Sequence, residues 1–185
     1  MAGAWLDEGM TLPLTYHPAL SRPDLLAAPV VAALSEVGWA DQVRVAEIDP
    51  ALADTAQFCE AYGVTLEESA NCVVIAGKRG GDVRYAACMV MATTRADVNG
   101  LVRQHLDVRK ASFGPMDVVT SLTGMEYGGI TPIGLPESWP VLVDGLVAKA
   151  PNVVIGSGIR GSKLWLPGTL LAELPGAEIL PGLAG

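Results

Sequence analysis

Two glycine-rich stretches hold the residues of this chain best placed for chemistry. The first is Gly128-Gly129-Ile130-Thr131-Pro132-Ile133-Gly134-Leu135-Pro136, and the second is Gly156-Ser157-Gly158-Ile159-Arg160-Gly161. Glycine lets backbone N–H groups come close to a bound group, because no Cβ intervenes. Pro132 and Pro136 stiffen the first stretch, so that its amides are aimed in advance. Each stretch adjoins an apolar, β-rich run: Pro140 to Asp144 after the first, Asn152 to Ile155 before the second. Two rigid glycine loops on neighbouring strands would cradle a carbonyl or an oxyanion. The competing reading is that both are only tight turns, where Gly and Pro are common. Asn71, Thr131, Asp144, Ser157 and Arg160 complete a polar set suited to positioning and hydrogen bonding rather than to nucleophilic attack.

Other chemistries fail on residue type or spacing. His17 lies in an irregular N-terminal stretch and His105 at a helix end, so a Ser-His-Asp triad has nowhere to assemble. Gly156-Ser157-Gly158 is too short for a nucleophile elbow. No metal-ligand spacing and no P-loop occur. Gly156-x-Gly158-x-x-Gly161 matches the letters of a dinucleotide-binding loop, but the strand-like Ser162-Lys163-Leu164-Trp165-Leu166 follows where a helix is required. Cys59, Cys72 and Cys88 are odd in number and read as reduced, mostly buried thiols. No metal and no organic cofactor is expected.

The bulk composition sets the frame. A chain of 185 residues, 50% hydrophobic and 17% charged, suits one domain with an ample core. No run approaches the ~18 apolar residues of a bilayer span, so no membrane partner is expected. The N-terminus is acidic where an export signal needs positive charge, and the expected location is the cytoplasm. The net charge of −8 argues against broad, salt-driven nucleic-acid binding, and no DNA partner is expected. Lys78, Arg79, Arg84, Arg95, Arg103, Arg109 and Lys110 nevertheless concentrate positive charge mid-chain, allowing a phosphate-facing patch or a merely solvated face.

The pattern that must position the loops is mixed. Residues 1–22 read as an irregular extension and 23–185 as the domain. Helices are expected from Pro23 to Val37, Ala51 to Tyr62, Thr94 to about Leu106, Pro115 to Leu122 and Pro167 to Leu174. Strands are expected from Gln42 to Ile48, near 140–144, 152–156 and 162–166, and in a hairpin. In that hairpin Cys72–Ala76 and Val83–Met91 flank Gly77–Asp82, and both strands are apolar enough for the middle of a sheet. A hairpin mixed with helices, without regular βαβ alternation, indicates α+β with a mixed sheet.

The run Thr123-Gly124-x-x-x-Gly128-Gly129-Ile130-Thr131-Pro132-Ile133-Gly134, then Val141-Leu142-Val143-Asp144, then Gly156-Ser157-Gly158-x-Arg160-Gly161, resembles the YbaK and prolyl-tRNA-synthetase-associated domain family. The resemblance covers roughly residues 25–183. It implies a single compact α+β domain with a central mixed, barrel-like sheet, deacylating mischarged aminoacyl-tRNA that carries a small amino acid. The implied partner is the aminoacyl-tRNA acceptor end. On this reading Gly129 and Asp144 belong to the catalytic centre, with Gly128, Thr131, Pro132, Gly134, Gly156, Ser157, Gly158 and Arg160 around the substrate. Amides of both loops would hold the aminoacyl carbonyl. One departure stands out: the family usually carries a lysine at the start of the first hairpin strand, and Asn71 occupies that place here. An amide can hydrogen-bond a carbonyl but offers no positive charge. Lys110 either supplies the missing ammonium from another element or lies on the surface. Two alternatives to the deacylase stay open: a non-catalytic module binding a small molecule or the acceptor end, and an esterase or amidase on small substrates.

Overall fold

The computed structural model describes residues 11–185, so the first ten residues of the expected extension lie outside the described residues. The mixed sheet is divided in two and is not closed into a barrel. One sheet has the order β1-β2-β8-β7, all antiparallel: β1 (Tyr16–Pro18), β2 (Arg44–Glu47), β7 (Val153–Gly156) and β8 (Ser162–Leu166). The other is mixed, with the order β5-β3-β4-β6-β9: β3 (Ala70–Arg79), β4 (Asp82–Met91), β5 (Ala111–Phe113), β6 (Val141–Asp144) and β9 (Ala177–Leu180). Here β4–β6 and β6–β9 are parallel. An isolated bridge between Ser69 and Val154 joins the sheets where β3 begins.

The apolar runs follow from burial on both faces. Along β4, Met89 and Met91 point into the main core with Val30 and Leu34 of α1 (Ala28–Glu36), Ile133, Ile155 and Leu164. Ala86, Cys88 and Val90 point the other way, onto Ile75, Leu142, Val102, Leu106 and Leu183. Covered on both sides from Ala86 to Met91, this part of β4 has no polar face to alternate. A third cluster holds α2 (Thr55–Tyr62) against the outer face of the first sheet through Phe58, Cys59, Tyr62, Ile48 and Val154. Each such large side chain contributes about 1.5–3 kcal/mol on leaving water.

The hairpin is longer than expected. β3 continues to Arg79, and only Gly80-Gly81 form the turn, with φ of 58° and 94°. Two consecutive left-handed residues define a tight type I′ hairpin, a conformation glycine adopts without strain. The helix expected from Pro23 starts at Ala28, with Pro29 in its first turn. The helix expected from Thr94 begins at Val98 as a wide π-turn before α3 (Arg103–Leu106), with the Asp97 carboxylate accepting from the Gly100 and Leu101 amides. α4 (Met116–Thr123) stops at Gly124. Within the stretch 167–174, Gly168–Glu173 is a 3₁₀ helix.

Four short elements differ from the sequence reading, and one of them, Ala111–Phe113, pairs antiparallel with β3. Tyr16–Pro18, expected to be irregular, pairs with β2. Ala177–Leu180, expected to be tail, runs parallel beside β6. Gly145–Lys149 forms an unforeseen short helix, α5, directly after β6. Each is only three to five residues long, too short to show periodicity; the strands exist because a neighbour completes their hydrogen bonds, and the helix is started by the Asp144 cap.

Candidate functional site

A cavity of about 310 Å³ opens at the seam between the two sheets. Its floor is the start of β3, Ser69 to Val73, facing Val154, Ile155 and Gly156 of β7. Ala53, Asp54, Thr55 and Phe58, around the start of α2, form one wall. Tyr127, Gly128 and Ile130 form another, and Met116 of α4 stands at the rim. Met116 and Tyr127 are 41% and 59% exposed, which gives the mouth an apolar, aromatic edge.

Asn71 sits on this floor. Thr55 Oγ1 donates to Asn71 Oδ1 at 2.7 Å, which occupies the amide oxygen and leaves the NH₂ group as the available donor. Beside it, Ser69 Oγ and Cys59 Sγ lie 3.4 Å apart. The Cys72 thiol also lines the cavity, and burial pushes its pKa well above the ordinary thiol range, so it is a poor nucleophile. Burial likewise pushes Cys88 up to about 12.

The two glycine stretches meet, but most of their glycines serve contact between backbones. Gly158 N–H donates to Gly129 O at 2.7 Å, and Gly129 N–H donates to Glu126 O at 3.0 Å. Both amides expected to hold a carbonyl are therefore spent inside the protein, a correction to the role given to Gly129 and Gly158. A Cβ on Gly129 would lie 2.6 Å from the Ile159 backbone, and one on Gly156 would lie 2.7 Å from the Gly129 and Ile130 carbonyl oxygens. Gly134 packs on the Pro29 carbonyl in the same way. Only Gly128 and Gly156 of the predicted glycines reach the cavity wall.

The remaining predicted side chains hold these loops. Arg160 Nη1 donates to Tyr127 O at 3.1 Å, and Arg160 Nε donates to Pro50 O at 3.2 Å, so the guanidinium ties the cavity walls from behind. Ser157 is fully buried and shares a 2.6 Å hydrogen bond with the Ser162 hydroxyl. Thr131 and Pro132 are buried behind the loop, and Thr131 Oγ1 has no partner among the described residues.

Two expected site residues are elsewhere. Asp144 is buried at the end of β6, where Oδ2 accepts from Leu146 N–H to cap α5 and Oδ1 accepts from Ala184 N–H. It anchors the C-terminal segment and does not line the cavity. Lys110 is exposed and borders a different cavity of about 620 Å³, together with Lys78, Arg109 and Tyr85. It cannot supply an ammonium at Asn71.

A lysine does reach the cavity, and it is Lys163 of β8, which sequence reasoning passed over. The residue is 7% exposed. Its Nζ donates to Ala53 O at 2.8 Å and stands 5.4 Å from the centre of the Phe58 ring. Desolvation lowers its pKa to about 8. The signal available was a lysine inside an otherwise apolar strand directly after a glycine loop. Asp54, Thr55 and Phe58 carried no motif at all. Among the described residues no group of His, Cys, Asp and Glu has the arrangement of a metal site, and no helix is long and apolar enough to cross a membrane.

Solved structures share this architecture. A protein described as a candidate trans-editing enzyme for prolyl tRNA synthetase superimposes with a TM-score of 0.70 at 21% identity, over 84% of this chain and 94% of that one. A scaffold from computational epitope grafting gives 0.69 at 22% identity over 84% and 95%. A hypothetical protein gives 0.67 at 20% identity over 77% and 91%. At these identities the likeness establishes the fold. The model of the aminoacyl-tRNA editing domain matches residues 49–174, which span β7, β8, both glycine stretches and every wall of the cavity, and the chain belongs to the aminoacyl-tRNA editing domain family.

Proposed function

We propose that this protein is a deacylase that cleaves the ester between a small amino acid and the terminal adenosine of a mischarged tRNA. The observation that carries the reading is the seam cavity with Asn71 on its floor, its amide oxygen held by Thr55 and its NH₂ group left to donate. A volume of about 310 Å³ is at the small end of ligand sites, which run from ~300 to 1,000 Å³. That suits a short side chain and its ester better than a bulky one. One methylene alone discriminates by only ~1–3 kcal/mol, so such a site excludes large side chains more sharply than it separates small ones.

In this mechanism the Asn71 amide donates to the ester carbonyl and fixes its orientation. The reacting oxygen comes from water or from the neighbouring ribose hydroxyl, since the Cys72 thiol is held protonated. Tyr127 and Met116 at the mouth offer an apolar face on which a terminal base can stack. Phosphates of the acceptor end would meet positive charge at Lys78, Arg109 and Lys110, which border one neighbouring cavity. Arg79 and Arg84 are already committed, to the Asp107 carboxylate and to the Leu106 carbonyl respectively.

The test is release of amino acid from a panel of mischarged tRNAs with small and large side chains. Faster release than the uncatalysed rate for small residues, and none above it for large ones, is the expected outcome. No release from any member would replace the enzyme by a binding module, the reading that Asn71 in place of a lysine favours. Cleavage of simple amino-acid esters as fast as of the tRNA ester would replace it by a small-substrate esterase.

A further inference from the structure

We propose that Lys163 is the oxyanion-stabilising residue of this cavity, its ammonium facing the negative oxygen that forms on the ester carbonyl during hydrolysis. The proposal rests on the deacylase reading and adds to it the group that meets the developing charge. Asn71 brings no charge, and Asp54, the other charged residue on the cavity wall, is a carboxylate. Lys163 belongs to no ion pair among the described residues. Its hydrogen bond to the Ala53 carbonyl uses one donor, and the Phe58 ring, an apolar neighbour, covers another side.

A nearly buried ammonium without a carboxylate partner is costly to a fold. Its position on a cavity wall, with N–H donors to spare, makes an incoming anion the missing partner. In a site shielded from water such a charge acts strongly on a transition state that is more negative than the ground state. Water forms a bond to the carbonyl carbon, the carbonyl electron pair moves to oxygen beside Lys163, and the tetrahedral species collapses by breaking the bond to the ribose oxygen. The proton lost by water passes to that ribose oxygen, releasing the amino acid and a free hydroxyl. The ammonium keeps its protons throughout. The ionisable groups around it are Asp54 before α2, Cys59 on α2 and Arg160 in the second glycine loop. Burial, with Arg160 acting in the same direction, outweighs Cys59 and Asp54 and sets its titration near pH 8.

Wild type, Lys163→Met and Lys163→Arg are compared by calorimetry on two uncleavable analogues of adenosine 3′-alanyl ester, each with and without a 5′-phosphate. One is a neutral carboxamide and the other an anionic, tetrahedral phosphonate. Cooperative melting of each variant establishes that it is folded. Lys163→Met is expected to weaken the phosphonate roughly tenfold or more, to leave the carboxamide within about twofold, and to be partly rescued by Lys163→Arg. Equal phosphonate affinity in wild type and Lys163→Met, no phosphonate binding by wild type, or a loss seen only with the 5′-phosphate would each overturn the assignment. In turnover, kcat of Lys163→Met should fall with little change in KM, and wild-type kcat/KM should decline as pH rises through about 8. A rise through that pH would make Lys163 a base and overturn the proposal. Phosphonate binding through Lys163 without cleavage of any aminoacyl-tRNA would remove the deacylase reading and leave the anion site. Full turnover by Lys163→Met would remove the anion role and leave the deacylase.

Discussion

The glycine seam and the cavity floor lie side by side, yet they are built on opposite terms. In the seam, Gly129 and Gly156 lie so close to a facing backbone that no side chain fits, Gly158 lies against the Ala27 side chain, and the Gly129 and Gly158 amides bond within the protein. On the floor and walls, Asn71 and Lys163 present side chains whose donors are only partly used, and the Thr55 hydroxyl holds the Asn71 amide oxygen. The seam sets the distance between the walls, whereas the proposed mechanism puts the chemistry on the walls. A conspicuous motif can therefore mark the hinge of a site while a wall residue such as Lys163 carries no motif.

The largest expected effect tests the seam. Gly129→Ala places a methyl 2.6 Å from the Ile159 backbone, and neither backbone can give way. It should destabilise the fold by about 3 kcal/mol in denaturant titration. Turnover per folded molecule surviving in this variant would confirm a structural role; loss of turnover at unchanged stability would move the seam into the chemistry.

Lys163→Met sharpens the other side of the comparison. The unfolded side chain keeps its proton to about pH 10.5, while the folded one releases it near 8. Protonated Lys163 thus weighs against the fold below pH 8, and the penalty fades as pH rises from 8 toward 10.5. Replacement by methionine should raise stability at pH 7 by roughly 2 kcal/mol while lowering activity. That gain should shrink by pH 10, which thermal melts at the two pH values will show.

Asn71→Ala should slow deacylation by roughly tenfold, about 1.4 kcal/mol, with little change in melting temperature. Unchanged turnover would take Asn71 out of the mechanism. Asp144→Ala should do the reverse, costing about 1 kcal/mol of stability through the lost helix cap and leaving kcat per folded molecule intact. Lys110→Ala, on the neighbouring cavity, should leave kcat unchanged and reduce only the salt dependence of tRNA binding.

The sequence by itself determined the α+β class, the long central hairpin and the strands bearing the glycine loops. Those follow from local causes: continuous apolar runs, Gly and Pro punctuation, and helix stops such as Gly63 and Gly124. It also singled out Asn71, because a motif position was filled by a different residue. Tertiary structure alone decided the rest. The division into two sheets, the parallel edge strand 177–180 and the pairing of 16–18 depend on partners distant in the chain. Asp144 and Lys110 had the right residue types but the wrong positions, since composition does not specify which face a strand end or an exposed loop presents. Lys163 is the converse. It is separated from Ala53 by more than half the chain, and only the packing of α2 against β8 sets its ammonium beside that carbonyl and into the same cavity as Asn71.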